Sequence, residues 1–215
     1  MTRIRYYLEA IKDPFPLFPL ESVTFSIGEL VSNAYSTIAE QSGLFGVGRR
    51  YYSVEQEHEA HTISLLTGGA FVLGQTVITR TAILALKIGG LVGQPSWLPR
   101  DRAEILQTAA TFNIKSRLSD LAIIDAVANY FKHHHEWPDN WDLAQAKGVQ
   151  RKTIKAAMLL GLSPNSEEDS LGFALGLLGV NESNMSVLGG IILNWRERLA
   201  QNLEESLHGH GIVVK

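Results

Sequence analysis

The sequence predicts an all-α fold. Apolar residues recur at helical spacing through most of the chain, whereas the strand-like alternation of apolar and polar residues is almost absent. Apolar residues make up 45% of the 215 positions, which is enough to bury a sizeable core and excludes wholesale disorder. We therefore expect a helical bundle that forms one large domain or two small ones.

In the first half of the chain, helix start signals and prolines define the predicted elements. A short helix is predicted near Arg3–Ile11, followed by an extended arm over 14–19, where three prolines alternate with apolar residues. The next helix is expected to begin at a capping box formed by Ser26 and Glu29. From residue 53 to about 87 nothing requires a stop, but a straight helix would be about 50 Å long, so a kink or a break is predicted.

The second half is predicted to contain shorter helices. We expect them at about 100–111, 115–136, 140–147, 151–160, 170–178 and 186–207, separated by proline and glycine positions. The predicted organisation is a helical bundle with a proline-rich arm over residues 1–137. A C-terminal helical extension over residues 138–215 is expected to pack on the same core.

Composition excludes several classes of site. The chain has no cysteine, so it has no disulfide, zinc ribbon, thiol nucleophile or iron–sulfur cluster, and no cofactor is predicted. Nineteen basic and 22 acidic residues give a net charge of −3, so a nucleic-acid surface would have to be a local patch. No secretory signal is predicted, and the uncharged stretch Thr62–Thr79 is expected to be a buried core helix. These features predict a cytoplasmic protein without a membrane partner.

One strongly apolar helix is interrupted by polar residues. Between 121 and 131 only Asp125 and Asn129 are strongly polar, and His133 follows four residues later. Positions four apart lie on one helix face, so these side chains are expected to share a ridge. A buried carboxylate is costly without a partner, so Asp125 must be hydrogen-bonded, ion-paired or protonated. The ridge is either a packing device or a polar cleft in which His133 takes part in proton transfer.

The run Ala-Asn-Tyr-Phe-Lys-His at 128–133 resembles the motif of HEPN-domain proteins, a prokaryotic all-α family. Members place an arginine, a polar residue, three further residues and a histidine on one helix. Asn129 and His133 match the polar and histidine positions, whereas Ala128 stands at the arginine position. The resemblance implies a HEPN-like bundle, a homodimer joined through this helix, and a role in stress or defence.

The same resemblance implies RNA as the partner and metal-independent endoribonuclease chemistry through the 2′-hydroxyl. His133 would be the acid–base residue, and Asn129 would orient a phosphate or ribose. Lys132 would offset charge in place of the missing arginine, and Asp125 on the same helix completes the predicted catalytic set. Because Ala128 departs from the motif, an inactive RNA-binding protein is the matching alternative.

Residues 140–158 resemble the helix-turn-helix of bacterial repressors. In that alternative the chain is a DNA-binding regulator whose phosphate and base contacts come from four cations, Lys147, Arg151, Lys152 and Lys155. A further alternative is a helical interaction protein with no chemistry.

Two Glu-x-x-His pairs, Glu55/His58 and Glu205/His208, repeat a spacing used in di-iron bundles. The first pair lies in the first turn of its predicted helix, where the helix dipole alone accounts for a glutamate, and the second lies at the end of the last helix. No metal site is predicted, and the spacing leaves open whether either pair binds metal.

Overall fold

The computed structural model describes residues 2–13, 18–45, 54–112, 117–162, 167–180 and 184–214. Within these ranges the chain forms eight α-helices and no β-strand, so the all-α prediction is confirmed. A single isolated β-bridge pairs Phe112 with Ser119 there. The helices are α1 Arg3–Lys12, α2 Phe18–Phe45, α3 Val54–Leu91, α4 Arg102–Gln107, α5 Asp120–His133, α6 Gly148–Leu159, α7 Glu167–Leu177 and α8 Ser186–Gly209.

Helix α2 begins earlier than the sequence predicts. Ser26 and Glu29 lie in the helix interior and form no capping box, because α2 already begins at Phe18. Pro19 lies in the first turn, where the missing N–H is tolerated because the first four N–H groups of a helix have no intrahelical acceptor. The predicted extended arm is therefore wrong at 18–19, and its residues 14–17 lie outside the described ranges.

Helix α3 is one uninterrupted helix of 38 residues, about 57 Å long, so it has no break of the kind that the sequence predicts as an alternative to a kink. It packs against α1, α2, α4, α5, α7 and α8, which makes it the central element of the bundle. The Gly68–Gly69 pair does not interrupt it. Gly68 instead lies directly under the ring of Phe131, so its missing side chain lets α5 approach closely.

Helix α3 is also long and apolar enough to cross a bilayer. Its segment Glu57–Leu91 is the one such candidate in the described part of the chain, and half of the apolar window is buried inside the protein. Ile63, Ala70, Phe71 and Ile78 belong to the buried core. Burial of these side chains is what the sequence predicts for Thr62–Thr79.

One apolar core joins the two halves of the chain. Its buried side chains run from Leu8 to Leu207, and α8 packs against α1, α2 and α3. Trp195 of α8 is fully buried, and its Nε1 donates a hydrogen bond to the backbone oxygen of Thr108 at 3.0 Å. The C-terminal helix is therefore an integral wall of the bundle.

The predicted helix over 140–147 does not form. Residues Asp139–Trp141 make a short 3₁₀ turn in which Asn140 has a left-handed backbone, with φ of 53°. Asp142 then accepts a hydrogen bond from the backbone N–H of Ala144 at 2.8 Å. Such a local side-chain bond competes with helix formation, which explains the difference.

We expect Gly68→Ala to lower the free energy of unfolding by about 1–3 kcal/mol, because the added methyl group would collide with the Phe131 ring. Gly69→Ala is the matched control: no atom outside its own helix backbone lies within 4 Å of an added Cβ, and alanine favours helix by up to about 1 kcal/mol. Urea unfolding of both variants checks this. Equal stabilities would contradict the close approach of α5 to α3.

Candidate functional site

Asp125 is the centre of a polar network between three helices. Arg102 of α4 binds its carboxylate with both terminal nitrogens, Nη1 to Oδ2 at 2.9 Å and Nη2 to Oδ1 at 2.5 Å. Gln75 of α3 donates from Nε2 to Oδ1 at 2.6 Å and to the Asp125 backbone oxygen at 3.3 Å. The carboxylate, with a side-chain exposure of 17%, therefore has the partners that its burial requires.

The ion pair also acts on Arg102. The hydrogen bond to Asp125 raises the pKa of the Arg102 guanidinium above its ordinary value, against the opposing effect of burial. Arg102 further approaches Thr79 Oγ1 at 3.4 Å, so its head group lies at the edge of α3. Because this guanidinium stays charged, it supplies the counter-charge of the Asp125 carboxylate.

Lys132 is tied to the same network without contacting the carboxylate. Its Nζ donates to Gln75 Oε1 at 2.6 Å. Among the described residues, no carboxylate lies within ion-pair distance of this ammonium group. The order Arg102–Asp125–Gln75–Lys132 thus runs from a compensated cation to an uncompensated one.

An open groove of about 560 Å³ lies along α3 beside Lys132. Its lining consists of Gln75, Thr76, Thr79, Arg80, Ile83, Leu84, Lys87 and Lys132. Three of these are cations and none is acidic. Lys132 contacts α3 at Gln75, which is twelve positions before Lys87. The three cations therefore extend over about 18 Å of α3. A groove lined by charge of one sign concentrates ligands of the opposite sign, so this surface is suited to an extended polyanion.

Lys87 marks the far end of the groove. Its Nζ lies 5.5 Å from the ring centroid of Tyr7 in α1, a cation–π contact that holds the side chain beside α1. Arg80, one of the exposed residues of α3, lies between Lys87 and the Gln75–Lys132 contact. Arg80 and Lys87 therefore lie along the solvent face of α3, and Lys132 of α5 meets that helix at Gln75.

Asn129 and His133 do not line this groove. Asn129 donates from Nδ2 to the backbone oxygen of Asp125 at 2.9 Å, so its amide is bound to its own helix. The His133 side chain is 47% exposed, and its Nδ1 lies 3.4 Å from Glu136 Oε2. Of the four predicted site residues on α5, the structure joins Asp125 and Lys132 through Gln75, with Asn129 adjacent and His133 at the exposed helix end.

Ala128 is fully buried in the apolar core. An arginine at this position would begin inside the core, so the departure from the HEPN motif has a packing consequence as well as a chemical one. Cations next to α5 come instead from Arg102 of α4, from α3 and from Lys132.

Sequence reasoning missed Gln75, Arg80, Lys87 and Arg102. Arg80 and Lys87 are seven positions apart, which places them on one helix face, and this spacing was available in the sequence. Gln75 is an amide within the uncharged stretch Thr62–Thr79, which is a signal that the sequence contains. Arg102 carried no such signal, because its contact with Asp125 depends on how α4 packs against α5.

The four cations predicted to bind DNA lie at α6. Lys147 is the residue before the helix, and Arg151, Lys152 and Lys155 are exposed on it, while Ile154 and Ala157 face the core. The preceding helix of the two-helix unit does not form. The structure therefore presents a basic helix face, without the first helix that the resemblance implies.

The two Glu-x-x-His pairs gather no further ligands where the structure is described. No group of three or more metal-binding side chains lies close enough together in those ranges to hold an ion. The Glu55 side chain is outside the described part. Glu205 accepts a hydrogen bond from Gln201 Nε2 at 2.8 Å, and His208 is exposed.

No protein-family model matches the chain, and no curated protein or solved structure is significantly similar to it. The HEPN resemblance therefore stays a prediction from residues 128–133.

We expect the Arg102–Asp125 pair to show a coupling free energy of about 1–3 kcal/mol in a double-mutant cycle of Asp125→Asn and Arg102→Met. Removing one partner leaves the other partly buried without its counter-charge. The exposed pair Lys12–Glu204, 2.8 Å apart, is the matched control and should give less than about 1 kcal/mol. Unfolding by guanidinium chloride measures both cycles, and equal couplings would contradict the central role of Asp125.

Proposed function

We propose that the protein binds RNA, with the phosphate backbone lying along the α3 groove on Arg80, Lys87 and Lys132. The observation that carries the proposal is the groove itself, which has three cations and no acidic lining residue in a chain of net charge −3. One of its lining residues, Lys132, belongs to the segment 128–133 that resembles the HEPN motif. That resemblance favours RNA over other polyanions.

The groove supplies the contacts that a phosphate backbone requires. Arginine and lysine bind phosphate oxygens, and the hydroxyl group of Thr79 in the lining is a further hydrogen-bond donor. Ile83, 49% exposed between Arg80 and Lys87, offers apolar surface to a ribose or base. The protein is proposed to act in the cytoplasm and to form a homodimer through the exposed end of α5.

Binding without cleavage is the function that the geometry supports best. The predicted acid–base residue, His133, lies outside the groove beside Glu136. The arginine position of the motif is a buried alanine. Metal-independent cleavage would need both a base at the 2′-hydroxyl and charge stabilisation at the phosphate, and Lys132 is the one predicted catalytic residue that lines the groove.

Binding of a labelled oligoribonucleotide at several salt concentrations tests the proposal. With three phosphate contacts, we expect the logarithm of the association constant to fall with the logarithm of salt concentration with a slope of about −2. Lys132→Met, Arg80→Ala and Lys87→Ala should each weaken binding and reduce the slope by about 0.7.

Arg198→Ala is the matched control, because Arg198 is an exposed cation of α8 that bonds Thr111 at 3.1 Å and does not line the groove. Its affinity for RNA should stay within about twofold of the unsubstituted protein. The proposal that RNA binds in the groove would be refuted if the unsubstituted protein does not bind RNA. It would also be refuted if Arg198→Ala loses as much RNA affinity as the groove variants.

His133→Ala separates binding from cleavage. The side chain is half exposed, so we expect no change in the thermal melting temperature and an RNA affinity within about twofold of the unsubstituted protein. Gel analysis of RNA after incubation should show intact RNA for both proteins. RNA cleavage by the unsubstituted protein that is lost in His133→Ala would instead support the endoribonuclease hypothesis.

Duplex DNA binding through α6 is the second candidate, favoured by the exposure of Arg151, Lys152 and Lys155 on one helix. A gel shift with duplex DNA distinguishes the two surfaces. If α6 binds DNA, Arg151→Ala weakens the shift and Lys87→Ala does not. The reverse pattern would assign all nucleic-acid binding to the groove.

A further inference from the structure

Gln75 connects the two charged parts of the site. It belongs to the buried residues of α3, with an exposure of 8%, and both ends of its amide are engaged. The nitrogen faces the Asp125 carboxylate at 2.6 Å, and the oxygen faces the Lys132 ammonium at 2.6 Å. A primary amide has donors only on nitrogen and accepts only on oxygen. The reversed orientation would direct oxygen at a carboxylate and N–H groups at an ammonium, so Asp125 determines which end meets Lys132.

The charges of the network are partitioned by this arrangement. The charge of Asp125 is neutralised by Arg102, which donates two hydrogen bonds to the carboxylate. The Gln75 side chain between Asp125 and Lys132 is uncharged. The Lys132 ammonium is held by a neutral acceptor, so its full charge remains available at the groove wall. A carboxylate in the place of Gln75 would cancel that charge and would also direct an acidic oxygen at Asp125 Oδ1.

We infer that Gln75 is the positioning residue of Lys132: it fixes the ammonium at the groove wall while keeping its charge uncompensated for an anionic ligand. Lysine has a long flexible side chain, and a cation that is already ordered loses less entropy when a phosphate binds. The role of Gln75 in RNA affinity rests on the proposed function, whereas its hold on Lys132 is independent of any ligand.

The experiment compares Gln75→Leu with the unsubstituted protein in two measurements. The first is the ¹H–¹⁵N NMR signal of the Lys132 ammonium, which is observable when hydrogen bonding slows its proton exchange. We expect this signal in the unsubstituted protein and its loss in Gln75→Leu. The second is RNA affinity, which should fall about three- to tenfold with an unchanged salt slope, because the cation is released but not removed.

Other variants make the result specific. Lys132→Met should reduce the salt slope, and adding Gln75→Leu to it should cause no additional loss of affinity. Gln201→Leu is the matched control, since this exposed glutamine of α8 bonds only Glu205 within the described contacts. It should leave both measurements unchanged. If Gln75→Leu does not fold, Gln75→Asn, which keeps the amide but is one methylene shorter, takes its place in both measurements.

An unchanged Lys132 signal in the Gln75 variant would overturn the inference, as would an equal loss of RNA affinity in the presence and absence of Lys132. If the unsubstituted protein binds no RNA, the proposed function fails, and the NMR measurement still decides whether Gln75 holds Lys132.

Discussion

A carboxylate set into a largely buried helix is the constraint on which the site depends. Asp125 needs a counter-charge and further donors, and these come from Arg102 on α4 and from Gln75 on α3. One side chain therefore fixes three helices relative to one another. The same interaction orients the Gln75 amide, whose remaining oxygen determines where Lys132 is held.

Helix α3 provides the solvent-facing surface next to this network. It is the central helix of the bundle, and yet one of its faces reaches solvent along Thr76, Arg80 and Lys87. Gly68 lets α5 approach closely enough for Lys132 to reach across to α3. The groove is therefore a consequence of close helix packing on one side and of an uncovered cationic face on the other.

The protein has two basic surfaces of different shape. The α3 groove is concave and contains cations from two helices, whereas α6 presents its cations on the convex face of a single helix. Both are local, because the chain as a whole is slightly acidic. Local cationic surfaces of this kind direct an anion to one place instead of attracting it everywhere.

Much of the fold and part of the site could be predicted from the sequence. Helical periodicity identified most of the α-helices, because the spacing of apolar residues reflects which face is buried. Boundaries are less predictable: the prolines before Leu20 predict an extended segment, whereas α2 begins at Phe18. The predicted helix over 140–147 does not form, because Asp142 makes local hydrogen bonds that compete with it. The spacing of apolar residues contains no information about such bonds.

The sequence by itself determined that Asp125 lies in a buried helix and must have a partner, because the cost of an unpaired carboxylate is a property of the residue and its apolar neighbours. Only the tertiary structure decided that the partner is Arg102, that Gln75 separates Asp125 from Lys132, and that His133 lies apart from the groove. These outcomes depend on how helices distant in sequence cross one another, and residue spacing within a single helix contains no information about such crossings.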